Sequence, residues 1–106
     1  MKVALQDAIQ RLEQTDGPFL EVFKHGSLSV EVYQPNQIDL QQPHEQDEVY
    51  IIISGKGTFL NDGVRTSFQT GDFFFVKAGH AHRFEDFTED FKTWVIFYGP
   101  KGGEKA

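Results

Sequence analysis

The chain has 106 residues, no cysteine and a formal charge of −6, with 16 Asp and Glu against 10 Lys and Arg. That length is one domain's worth of chain, and the missing thiols exclude a disulfide framework and a thiolate zinc site, so any metal must be held by nitrogen and oxygen. Net negative charge with scattered cations argues against a nucleic-acid partner. No run of about 18 apolar residues offers a membrane span, and Met1 to Asp7 lack the apolar stretch of a signal peptide, so the cytoplasm is the expected location.

In chain order, Leu5, Ala8, Ile9 and Leu12 recur at helical spacing, and Thr15-Asp16-Gly17-Pro18 supplies the stop, which predicts one short helix within residues 1–16. From Phe19 the pattern changes to short β-rich runs at Phe19–Lys24, Leu28–Tyr33, Val49–Ile53, Thr58–Leu60, Phe73–Val76, His82–Phe87 and Thr93–Tyr98. His25-Gly26, Ser54-Gly55-Lys56-Gly57, Asn61-Asp62-Gly63 and Thr70-Gly71-Asp72 punctuate them with residues suited to tight turns. Closely spaced short strands hide an apolar face and their edges only by stacking or closing, so residues 19–98 are expected to form an all-β sandwich or barrel. Residues 99–106 are expected to be a loose tail.

Eleven phenylalanines point to a core filled with rings, with Phe59, Phe68, Phe74, Phe84, Trp94 and Phe97 as candidates. Tyr50 and Trp94 are the candidates for lining a small-molecule pocket.

The polar candidates lie in two segments, Gln42-Pro43-His44-Glu45-Gln46-Asp47-Glu48 and Gly79-His80-Ala81-His82. On one straight strand the Cα atoms of His44 and Glu48 would stand roughly 13 Å apart, too far to share an ion, so the chain must bend at Glu45-Gln46-Asp47. Gln42 and His44, two apart, would share a strand face. A helix would also join positions four apart, but the β-branched run that follows, ending at Ser54-Gly55, favours a strand. His82 reaches the same place only if a later strand lies against the His44 segment. Two imidazoles and a carboxylate on one face of an ion leave further positions open, a ligand set suited to Fe(II) and also to Mn, Zn, Ni or Co.

These residues carry a family resemblance. His44, Glu48 and Gly55 stand at the H-x3-E-x6-G spacing of the first cupin motif, counted from its second histidine. Gly71, Gly79 and His82 match the glycines and histidine of G-x5-P-x-G-x2-H-x3-N, with Lys77 and Asp86 replacing its proline and asparagine. The chain therefore resembles a small single-domain cupin between about Ile38 and Tyr98. The resemblance implies a jelly-roll β-barrel behind a short N-terminal helix, residues 1–106 forming one domain, and a divalent transition metal held by His44, Glu48 and His82.

The family's first histidine falls on Gln42, whose neutral amide oxygen would serve as a fourth ligand or hold bound water or substrate; its hardness favours Fe or Mn. His80 and His25 read as exposed turn residues, and Glu85, Asp86, Glu89 and Asp90 as a solvated acidic loop. Ser54-Gly55-Lys56-Gly57-Thr58 lacks the glycine spacing of a phosphate loop. Two functions follow: a metal-dependent enzyme of dioxygenase, isomerase or lyase type acting on a small organic molecule, or a non-catalytic module binding metal or metabolite. A homodimer is expected from the N-terminal helix and from β-runs such as Leu28–Tyr33, read as lying at an exposed sheet edge.

Overall fold

A computed structural model describes residues 1–105. Its single helix, α1 (Leu5–Glu13), starts without a side-chain cap, carries Asp7 in its first turn and Arg11 in its last, and buries Ala8 and Leu12. Those two charges complement the helix dipole, and the four-residue spacing of Ala8 and Leu12 turns one stripe toward the sheet. Among the described residues no helix is long and apolar enough to cross a membrane.

Eight strands follow among the described residues: β1 (Phe19–His25), β2 (Leu28–Tyr33), β3 (Asp47–Ser54), β4 (Lys56–Asn61), β5 (Val64–Gln69), β6 (Phe73–Val76), β7 (His82–Glu85) and β8 (Lys92–Tyr98). They form a five-stranded sheet in the order β1-β2-β8-β3-β6 and a three-stranded sheet in the order β5-β4-β7. Every pairing is antiparallel. The two sheets face each other as the halves of a cupin-type jelly roll, although no ladder closes them into one barrel among the described residues.

Alternation along the strands decides what lies between the sheets. Tyr33, Tyr50, Ile52, Phe59, Phe68, Val76, Phe84, Phe91 and Val95 form the interior cluster, and their rings meet mostly edge-on or tilted, as between Tyr50 and Phe84 at 4.9 Å. The opposite face of the large sheet carries a second cluster, in which Leu20, Val22, Val32, Ile53 and Trp94 pack against Ala8 and Leu12 of α1.

Three expectations are corrected, and one strand is added. Trp94 does not face the interior: it pairs with Val32 in register and packs under the helix, because Thr93, Val95 and Phe97 take the inward positions of β8. β5 was hidden in the sequence because Val64, Arg65, Thr66 and Ser67 are all exposed, leaving only Phe68 as an apolar signal. β2 lies inside the large sheet, between β1 and β8, so it offers no edge. The tail folds back: Gly102 N–H donates to Glu45 O at 2.7 Å, Glu104 N–H to the buried Asp47 carboxylate at 2.8 Å, and Gln46 Nε2 to Gly99 O at 2.9 Å. Those contacts satisfy Asp47 together with Ala78 N–H, and the two backbone donors, Glu104 first, hold its carboxyl below the usual range.

Candidate metal centre

His44 sits just before β3, Glu48 on its second residue, and His82 at the start of β7 in the other sheet. Residues 45 and 46 form a bend, which supplies the change of direction that the spacing of His44 and Glu48 requires. The two segments are tied by Gly79, whose N–H donates to His44 O at 2.8 Å and whose φ of 81° is open to glycine at little cost. A turn of the second segment thus fixes the position of the first.

Glu48 is fully buried between Phe97 of β8 and Val76 of β6, its register partners. One donor atom each from His44, Glu48 and His82 lie within 4.8 Å of one another. His82 Nε2 stands 2.9 Å from Glu48 Oε1, and His44 Nε2 stands 3.9 Å from the same oxygen. Donors about 2.1 Å from a shared ion sit roughly 3 Å apart on one face, a spacing that His82 and Glu48 already have and that His44 exceeds.

The protonation pattern is legible from partners. His82 Nδ1 lies 2.9 Å from the carbonyl oxygen of His80, which can only accept, so Nδ1 carries a proton. In the neutral ring Nε2 is then a lone pair aimed at a carboxylate oxygen. Neither Glu48 oxygen receives a hydrogen bond of sound geometry, although both are buried. An orphaned buried carboxylate is costly unless a proton or a cation lies beside it. The donor set and this orphaned acceptor fit a divalent ion.

Electrostatics separate the two imidazoles. Burial holds His44 below its usual pKa, aided by His82 and opposed by Glu48. Burial also pushes His82 down, but the hydrogen-bonding contact and charge of Glu48 outweigh it and leave His82 above its usual value. A metal would therefore compete with the proton that the charge of Glu48 favours on His82.

The environment of the cluster differs from expectation at one residue. Gln42 is exposed and takes no part in any side-chain hydrogen bond given by the described residues; Gln41 occupies the place assigned to it. Residues 39–44 form no strand, so the two-residue parity argument does not hold there. Asp39 instead makes a local turn, its Oδ1 accepting from Gln41 N–H at 3.1 Å and its Oδ2 from Gln41 Nε2 at 2.7 Å, which swings Gln41 inward. Asp39 also accepts from Tyr33 Oη at 2.6 Å and Phe84 N–H at 2.8 Å. With its amide so oriented, Gln41 Oε1 accepts from Tyr50 Oη at 2.8 Å and lies 3.4 Å from His44 Nε2.

Tyr50 is fully buried, and its hydroxyl also stands 3.1 Å from His82 Nε2. Burial first, then the charge of Glu48, hold it well above the usual phenol pKa, so it serves as a neutral hydrogen-bonding group. His80 is partly exposed and contributes its carbonyl, with its ring 3.7 Å from Asp62. His25 is exposed in the β1–β2 turn. Glu85 is engaged by Arg65 and Arg83, each at 2.9 Å, the Arg65 contact leading in holding its carboxyl below the usual range.

His44 and Gln41 line a cavity of about 330 Å³ together with Phe19, Leu40, Val95, Phe97 and Glu31. His44 packs edge-on against Phe97 with ring centroids 4.9 Å apart. A larger groove of about 620 Å³, bounded by Asn36, Gln37, Phe87 and Glu89, opens elsewhere and includes none of the three candidate ligands. Sequence reasoning missed Gln41 and Glu31, and placed Phe97 in the core without giving it a place at the cavity. The parity of β8 with Val95 could have found Phe97, and Asp39-x-Gln41 is a recognisable turn signal.

Comparison with known proteins agrees with this architecture. The family model described as "Cupin domain" matches residues 29–97. An uncharacterized protein of Streptomyces coelicolor, SCO3923, is 34% identical over 88 residues, covering 81% of this chain and 84% of that protein. Among solved structures, protein NMB1881 from Neisseria meningitidis superposes with a TM-score of 0.70 at 17% identity, covering 93% of this chain and 100% of the other. A cupin-2 domain containing protein from Shewanella frigidimarina NCIMB 400 gives 0.68 at 15% identity, with 92% and 94% covered.

Proposed function

The chain belongs to the cupin family, and from that premise we propose that it is a metal-dependent enzyme acting on a small organic molecule held in the cavity beside His44. The observation that carries this reading is the buried Glu48 carboxylate, which has no well-aligned donor and stands 2.9 Å from His82 Nε2. His44, Glu48 and His82 would hold the ion, and Fe or Mn suits two imidazoles, a carboxylate and a nearby amide oxygen. When bound, such an ion supplies Lewis acidity or oxygen activation.

The chain's own groups prepare that point. Glu48 provides the charge, and His80 O fixes the His82 tautomer. Gln41, held by Asp39, presents its oxygen beside His44, where it would accept from bound water or a substrate hydroxyl. Phe97 and the buried Val95 give the cavity beside His44 an apolar wall. Tyr50 fixes the Gln41 oxygen and lies against His82, so ring and amide are positioned before substrate arrives.

Oxygen uptake and product formation by the Fe(II)- and Mn(II)-loaded protein, measured over a panel of catechols, enediols and β-diketones, test the enzymatic reading. Turnover lost in His82→Ala supports it. A stoichiometric complex without turnover would replace it with the alternative, a non-catalytic binding module.

A homodimer draws its support from β6 rather than β2. This edge strand of the large sheet exposes Phe73 and Phe75, and such an edge invites pairing with a second copy. Sedimentation showing only monomer at micromolar concentration would remove that element.

A further inference from the structure

We propose that Glu31 makes its side of the cavity a subsite for a positively charged nitrogen, so that the preferred small molecule carries an apolar body ending in an ammonium group. This deepens the function proposed above, resting on the same cavity, but its evidence lies on different strands from the three candidate metal ligands.

Glu31 stands in the middle of β2, paired in register with Val95 of β8 on one side and Glu21 of β1 on the other. Its neighbours at two-residue spacing, Ser29 and Tyr33, are both buried, and Tyr33 belongs to the interior cluster, so Glu31 points between the sheets rather than toward α1. There it lines the same cavity as His44 and Gln41. A carboxylate at an interior position of a sheet is normally matched by Arg, Lys or a set of N–H donors. Here no ion pair or side-chain hydrogen bond engages it among the described residues.

The groups around it add negative charge. Glu21 lies across the β1–β2 ladder and accepts from Ser29 Oγ at 2.6 Å, so its position is fixed. Glu48 adds its charge from β3, where a bound metal would answer it. Burial, then Glu21 and then Glu48, push the Glu31 carboxyl up to about 7, the behaviour of a negative pocket awaiting a cation. The remaining walls are apolar or aromatic, with Phe19 and Phe97 nearest in kind to the face that an organic cation prefers. A hydrated metal ion would gain little from such walls. An alkyl- or arylalkylammonium would bury its body against them and place its N–H donors on Glu31.

The test uses the full chain at pH 8, both metal-free and Zn(II)-loaded, with 2-phenylethylammonium and its neutral counterpart 2-phenylethanol as probes. Binding is followed by NMR shifts of Leu40, Val95 and Phe97. The ammonium should bind at least about fivefold tighter than the alcohol, and the difference should shrink as salt is raised. Glu31→Gln, which keeps the shape of the side chain and relieves repulsion, should bind both probes alike, while Glu31→Asp should keep part of the preference. Equal binding of the two probes by the unmodified chain, a preference surviving in Glu31→Gln, or no shift with either probe would overturn the subsite. Metal stoichiometry measured on the same samples separates the two ideas. Loss of the preference with metal retained overturns this inference alone, whereas a preference that persists in a chain unable to bind metal overturns only the metal-dependent reading.

Discussion

His82 Nε2 and Glu48 Oε1 lie 2.9 Å apart with both side chains sealed from solvent, yet the carboxylate accepts no hydrogen bond of sound geometry. The other nitrogen of the ring is committed to His80 O. Such a pair is stable only with something positive beside it, and the candidates are a proton on His82 or a metal ion.

That competition fixes a pH dependence. The His82 pKa is raised in the metal-free fold, so its contribution to stability is fully present below the ordinary histidine value and is lost as pH rises through the raised one. The metal-free protein should therefore lose this contribution on the alkaline side of about 6.5, while apparent metal affinity should increase over the same interval as the competing proton leaves. Thermal melts from pH 6 to 9 with and without Mn(II) check both trends; a metal-induced rise in Tm that is largest at pH 6 would contradict them.

Gln41, not Gln42, should matter to the centre. Gln41→Ala removes the oxygen beside His44 and the acceptor of Tyr50, and loss of such an outer partner typically costs about 10- to 100-fold in metal affinity. Gln42→Ala should leave affinity unchanged, because Gln42 is exposed. Metal titrations of the two variants side by side decide the assignment, and equal effects would refute it.

Much of the fold was legible because its signals are local. Gly-containing turns and β-branched or aromatic runs marked seven of the strands, and the helical spacing of Ala8 and Leu12 marked α1. β5 carried too little apolar surface to be seen. The inward or outward fate of Trp94 depends on which face of β8 meets α1, a tertiary choice that residue type does not record. The Gln42 assignment failed because a parity rule for strands was applied to a segment that Asp39 curls into a turn. The tail is ordered by Asp47 and Glu45, partners more than fifty residues away in sequence.

Gly55 should be intolerant of a side chain. Its φ is 90°, and a Cβ there would lie 2.7 Å from Phe91 Cα and 2.8 Å from Thr88 Oγ1, so strain and backbone collision act together. Gly55→Ala should destabilise the fold by about 2 kcal/mol or more. Urea unfolding measures it, and a loss under about 0.5 kcal/mol would show that the β3–β4 turn yields.

Glu31→Gln should stabilise the protein above neutrality. The Glu31 carboxyl is pushed from 4.5 up to about 7, so its contribution to stability is present below about 4.5 and lost as pH rises through about 7. After discounting for the solvent that reaches this half-buried group, the gain at pH 8 should be on the order of 1 kcal/mol, shrinking to nothing near pH 4. Urea midpoints at the two pH values provide the comparison; a variant less stable than the unmodified chain at pH 8 would mean that Glu31 is already compensated.

The central claim is that His44, Glu48 and His82 close on one ion, and elemental analysis of protein purified without chelator and reconstituted with Fe(II) or Mn(II) tests it most directly. The account predicts about one equivalent of metal per chain, falling sharply in His82→Ala. Less than about a tenth of an equivalent in the unmodified protein, or the same occupancy in the variant, would contradict it.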